Sequence, residues 1–230
     1  MIFDPLYFLM VLPALILAMW AQSKVKGTYQ KYSQVPMHRR LTGAQVARQL
    51  LDSNNLSDVS IEMVQGHLSD HYDPRARVLR LSPQVHNGTS IAAAGIAAHE
   101  TGHAIQHGRG YLPLHLRTAV YPVAGLGSQL AFPLFFIGLI LSGYGSGLGS
   151  AMMMLGVLFF GGAVIFTLIT LPVEFNASAR ALQALRGFGY LDTEEIGGAK
   201  KVLTAAAMTY VASALMASMQ FLYMLTRARR

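Results

Sequence analysis

Three runs free of charged side chains divide the chain: residues 5–23, 118–173 and 202–226. A helix needs roughly 20 apolar residues to cross a bilayer, so the first run predicts one span and the second has room for two. The second run should break within Ser142-Gly-Tyr-Gly-Ser-Gly-Leu-Gly149, where residues of low helix and high turn propensity cluster. This predicts spans over 121–141 and 150–171, with Pro172 marking the exit of the second. Pro13 predicts a kink that does not end the first span, because neighbouring helices can satisfy the freed carbonyl. The last run is long enough to cross, or to lie as a buried or re-entrant helix, and its sequence does not choose.

Between the first two runs the pattern is that of a folded module. Residues 42–51 place apolar side chains at helical spacing behind Thr42, a suitable N-cap, and Asn54-Asn55 ends that helix. Over 59–64, Val59, Ile61 and Met63 alternate with Ser60 and Glu62, the period of a strand. A polar turn is expected over 66–74, and alternation resumes over 76–82 as a second strand. An Ala-rich helix follows over 90–107, capped by Thr89 or Ser90 and released by Gly108 and Gly110. Two strands alone are marginal, so the sheet should pack on helices.

Composition agrees with a membrane protein: 53% of residues are hydrophobic and 13% charged. Cysteine is absent, which removes disulfides, thiolate ligands and thiolate nucleophiles and fits a reducing compartment. The net charge of +7 lacks a basic face with interleaved aromatics, so nucleic acid is excluded as a partner. It reads instead as a topology signal. Residues 24–117 hold eleven Lys or Arg against six acids, which places them on the cytoplasmic side, against anionic headgroups. Asp4 precedes the first run and Lys24, Lys26 and Lys31 follow it, the reverse of a signal peptide, so a retained anchor with its N-terminus outside is expected. The hairpin then returns 174–201 to the side of 24–117. Arg227, Arg229 and Arg230 would violate the same rule if the last run crossed fully.

Chemistry concentrates in His99-Glu100-Thr101-Gly102-His103. On a helix, positions i and i+4 share a face, so both imidazoles can reach one Zn²⁺, with Glu100 beside them as a general base. Gly102 leaves room for close packing behind the site. Catalytic zinc usually takes a third protein ligand, and Glu174 is the one acid between Arg109 and Asp192. It is either that ligand or a cap, since acids favour first turns of helices. His107 lies about 12 Å along the helix from His99, too far to share the ion. His38, His67, His86 and His115 have no partner pattern. His71 and Tyr72 can each donate to the oxyanion of a tetrahedral intermediate, or belong to a simple polar turn. Arg180, six residues beyond Glu174, suits orientation of a carboxylate. The order strand, turn, strand, HExxH helix is that of a zincin-type peptidase core, and a strand over 78–82 at a sheet edge would align an extended peptide by backbone pairing.

Taken together, His99-Glu-Thr-Gly-His-Ala-Ile-Gln106, Asp70-His-Tyr-Asp-Pro74 and Leu171-Pro-Val-Glu-Phe-Asn-Ala-Ser178 resemble the YugP-like bacterial membrane zinc metallopeptidases over nearly the whole chain. That group is similar in layout to the HtpX and CAAX-prenyl peptidases. The resemblance implies His99, His103 and Glu174 as ligands of one catalytic Zn²⁺ and Glu100 as general base. Those relatives place an acid four residues after the third ligand. Here that position is Ser178, so their orientation of a histidine does not transfer directly, and Asn176 is a substitute.

The expected fold is therefore a mainly α integral membrane protein, a zincin-like metallopeptidase core with a small β-sheet plus three or four transmembrane helices. Its expected parts are an anchor (1–23), a cytoplasmic module (24–117), a transmembrane hairpin (118–173), a cytoplasmic helix with the third ligand (174–201), and a hydrophobic helix with a basic tail (202–230). The expected function is zinc-dependent hydrolysis of protein or peptide substrates at the cytoplasmic face of a bacterial inner membrane. The bilayer is a partner, and an oligomer or a membrane-protein partner is compatible. A non-catalytic zinc-containing scaffold is the alternative. A metal transporter is disfavoured because 118–173 holds no ionisable residue.

Overall fold

The structure, a computed structural model, describes residues 4–229; the first three residues of the expected anchor and Arg230 of the expected basic tail lie outside the described residues. The elements run α1 (Pro5–Ser33), α2 (Gly43–Ser53), β1 (Ser60–Met63), β2 (His71–Asp73), β3 (Val78–Leu81), α3 (Pro83–His86), α4 (Ile91–Gly108), α5 (Leu112–Ser142), α6 (Gly147–Gly187) and α7 (Thr193–Ala228). They form two compact units. One comprises the chain up to Trp20, residues 115–171 and the chain from Thr209 on; the other comprises residues 21–114 and 172–208.

The first unit is built from the apolar stretches of α1, α5, α6 and α7, each in a helix long and apolar enough to cross a membrane. Phe135, Met153, Val157, Phe160 and Met224 fill its core. Large apolar side chains such as Leu126, Phe136, Ile140, Leu158 and Ile165 point outward, the arrangement of a bundle solvated by lipid. Helices α5 and α6 approach through glycines on both sides. A Cβ on Gly138 would lie 2.6 Å from Met153 N, and one on Gly156 would lie 2.7 Å from Ala131 O. Small residues at such crossings let backbones pack where hydrocarbon gives no hydrophobic drive.

Three helices run past the apolar runs that the charge pattern marks out. The turn of the hairpin falls at 143–146, inside the predicted break, but α6 continues through Pro172 to Gly187. A proline removes one ladder hydrogen bond from a helix of 41 residues, which is not enough to end it. Helix α1 passes Pro13 and runs ten residues beyond the predicted end of the anchor, since Lys24, Lys26 and Lys31 are good helix formers as well as topology signals. Helix α7 begins at Thr193, ahead of its apolar run. A reciprocal pair starts it: Asp192 Oδ1 accepts from Glu195 N at 2.8 Å and Glu195 Oε2 accepts from Asp192 N at 2.9 Å.

In the second unit, α2 starts with the expected cap: Thr42 Oγ1 accepts from Gln45 N, and Gln45 reaches back to Thr42 N. The sheet has three strands in the order β1-β3-β2, β1 parallel and β2 antiparallel to β3. Two expectations are corrected here. The polar segment 66–74 contains β2, whose three residues are too few to show a period of two. Strand β3, which would align a peptide only at a sheet edge, is the central strand, so its backbone groups are already paired with both neighbours. Met63 is exposed, while Val59 and Tyr72 are buried.

Helix α4 is covered on two sides. Ile91, Ala94 and Ala98 join Leu185, Leu191, Ile196 and Leu203 in one core cluster. Ala97, Ala104 and Ile105 join Leu51, Val59, Leu79 and Val85 in another, against α2 and the sheet. Its alanines make both contacts close, and Ser90 caps it by accepting from Ala93 N. A helix buried on opposite sides is a rigid mount for side chains that emerge between them.

Candidate metal centre

His99 and His103 stand one turn apart on α4, with rings edge to face and 4.8 Å between centroids. Glu174 reaches them from α6, and the second unit contains all three. Glu174 Oε2 lies 3.2 Å from His99 Nε2 and 3.7 Å from His103 Nε2, and the three donor atoms lie within 4.8 Å of one another. The edge of a tetrahedron with bonds of about 2.1 Å is about 3.4 Å, so these separations suit one tetrahedral ion. His103 and Glu174 are buried and His99 nearly so. Two imidazoles and a carboxylate fit zinc, and the residues present match that ion in type, spacing and burial. Glu174 stands in the interior of α6, so the alternative of a first-turn cap does not describe it.

The approach of the two helices depends on Gly102. A Cβ there would lie 2.6 Å from the carbonyl oxygen of Ala177, so α6 packs on the glycine itself.

The second nitrogen of each ring is held as well. His99 Nδ1 lies 3.1 Å from Ser178 Oγ. His103 Nδ1 lies 3.0 Å from Gln106 Oε1, and Gln106 is fully buried. The Gln106 amide donates from Nε2 to Val173 O at 2.8 Å and to Asn176 Oδ1 at 3.0 Å. With both N–H groups engaged, its oxygen must be the group facing His103, so His103 Nδ1 carries the proton. Nε2 then keeps its lone pair toward Glu174 Oε2. Asn176 Oδ1 also accepts from Arg180 Nε at 2.7 Å, and the Arg180 guanidinium lies 5.8 Å from the centre of the Tyr111 ring.

The expected site residues thus divide. Ser178 touches a histidine directly, in the place where the resemblance left orientation open. Asn176 acts on His103 only through Gln106, and Arg180 pairs with an amide rather than a carboxylate. Gln106 was missed as a site residue, although it stands three residues beyond His103 on the same face. Gln106→Leu should weaken zinc binding by about 10–100-fold, the usual cost of losing a partner of a metal-binding histidine, as read by competition with a chromogenic chelator.

Glu100 is half-buried beside this cluster. Burial pushes its carboxyl up to about 7, opposed by the charge of His99 and reinforced by Glu174 and Asp70. His71 opens β2, the strand that adjoins α4, and its Nδ1 lies 2.8 Å from Ser69 O. Asp70 fixes that end of β2 by accepting from Ser82 N at 2.7 Å and from Ser82 Oγ at 3.0 Å. Tyr72 points to the other face. It is buried and its hydroxyl lies 2.9 Å from His107 Nδ1, which directs it away from an oxyanion role.

A helical membrane bundle with an HExxH helix and an acidic third donor defines a class, and comparison with known proteins agrees. The chain belongs to the family described as "Putative neutral zinc metallopeptidase", whose model matches residues 7–229. It is 48% identical over 217 residues to "Putative membrane protease YugP" of Bacillus subtilis (strain 168), with 94% of each chain covered. No solved structure matches the chain. Zinc is the cofactor implied by the family.

Proposed function

We propose that the protein is a zinc-dependent endopeptidase of the membrane, with His99, His103 and Glu174 as metal ligands and Glu100 as general base. The observation that carries this reading is the convergence of three donors from α4 and α6, with Glu100 alongside but outside the ligand set. When bound, zinc supplies a Lewis acid that polarises a carbonyl and makes water acidic near neutral pH.

The chain's own residues supply the proton transfers. Glu100 accepts a proton as a water oxygen attacks the carbonyl carbon, and returns it to the amine nitrogen as the C–N bond breaks. A carboxyl pushed up to about 7 by burial is suited to both directions of transfer. Gln106 and Ser178 hold the two imidazoles in register. His71, whose Nδ1 donates to Ser69 O, can offer its Nε2 N–H to the developing oxyanion when the ring is protonated. Peptide alignment moves from the expected β3 to β2, an edge strand that adjoins α4.

The excess of Lys and Arg in 24–117 supports an active site on the cytoplasmic side of a bacterial cell membrane, with α1, α5, α6 and α7 as the spans. The test is proteolysis of an unfolded protein by the purified chain, before and after zinc removal. Chelation should stop cleavage and stoichiometric zinc should restore it; cleavage indifferent to chelation would contradict the reading.

A further inference from the structure

The sequence of the first unit contains one acid, Asp4. Asp4 Oδ2 accepts a hydrogen bond from the Tyr223 hydroxyl at 3.1 Å and faces Arg227 Nε at 3.9 Å. The second distance is too long for a hydrogen bond, and Arg227 Nε is buried with no acceptor among the described residues. The Arg227 side chain keeps 23% of its surface and lines the cavity described next, so the terminal N–H groups of the guanidinium, not the buried Nε, are those left for a ligand. Beside it lies a cavity of about 510 Å³, walled by Phe132, Phe135, Phe136, Leu139 and Met224. That volume falls in the range of small-molecule sites, about 300–1,000 Å³. Asp4 immediately precedes α1 and Arg227 stands one residue before the end of α7, so the polar rim of the cavity lies where apolar spans end. In a bilayer that is the level of the headgroups.

We propose that this cavity binds a membrane phospholipid whose headgroup carries both a phosphate and a primary ammonium, as phosphatidylethanolamine does. Arg227 takes the phosphate, Asp4 takes the ammonium, and the phenylalanine wall takes an acyl chain. The guanidinium fork matches phosphate oxygens. The neighbouring carboxylate selects among headgroups. A purely anionic headgroup would set its charge against Asp4, and a choline headgroup has no N–H to donate to it.

The test is native mass spectrometry of the full chain released from nanodiscs with equal phosphatidylethanolamine, phosphatidylglycerol and phosphatidylcholine. The wild type should retain phosphatidylethanolamine over the other two by about tenfold, the weight of one charge-assisted hydrogen bond. Arg227→Gln should lose that retention, and Asp4→Asn should lose discrimination against phosphatidylglycerol. Leu139→Trp, which fills the cavity, should also lose retention while zinc content and the unfolding midpoint in lipid-free detergent stay unchanged. It carries the test if the Arg227 variant fails to fold. Glycerophosphoethanolamine, the headgroup without chains, should not displace the lipid. Equal retention of the three lipids, preference for phosphatidylglycerol, displacement by the bare headgroup, or undiminished retention in Leu139→Trp would each overturn the proposal.

Discussion

Glu100→Gln should lower peptide cleavage by about 10²–10⁴-fold, the usual contribution of a positioned acid–base group, and leave zinc stoichiometry unchanged. The substitution keeps size and hydrogen-bonding capacity, so the packing of α4 has no reason to change. Glu100 is not among the three clustered donors, so the proposed ion keeps its ligands. What the amide cannot do is take up a proton and give it back. Turnover of a quenched-fluorescence peptide pool, measured beside metal content, separates the two effects. Retained proteolysis would remove Glu100 from its role, and lost zinc would make it a structural residue.

Glu174→Ala should have the larger effect on the metal. It removes one donor from a buried set of three and leaves two imidazole nitrogens without the carboxylate that faces both. Zinc affinity should fall by more than the about 10–100-fold typical of partners that only orient a ligand. The apparent stabilisation by zinc should shrink with it, because a ligand stabilises the folded state by RT ln(1 + [L]/Kd), which falls as Kd rises. Metal analysis after dialysis against a weak chelator, paired with a thermal melt, reads both. Unchanged stoichiometry would take Glu174 out of the ligand set.

How much of this was legible in the sequence follows from the range of each signal. The four apolar helices and the HExxH helix were readable because their patterns are long or dense. The cap at Thr42 was readable because a capping box is local. Strand β2 was not, since three residues with one buried side chain carry no period. The centrality of β3 was not, because parallel pairing with β1 is decided between strands far apart in sequence. Pro172 marked the end of an apolar run, which says nothing of whether the helix goes on, and helical residues on both sides of the proline hold α6 together. Glu174 could be singled out by elimination among acids, whereas Gln106 could not. A buried glutamine reveals its function only when Val173 and Asn176 appear beside its amide.

His99, His103 and Glu174 should share one zinc ion. Zinc-edge X-ray absorption of the metal-loaded protein tests it most directly, with Glu174→Ala as the reference. The wild type should show two imidazole nitrogens at about 2.0–2.1 Å and a carboxylate oxygen at about 2.0–2.2 Å, completed by a light-atom ligand. In the variant the imidazole signal of any remaining zinc should persist while the carboxylate contribution disappears. A wild-type spectrum with fewer than two imidazoles, or one identical to that of Glu174→Ala, would contradict it.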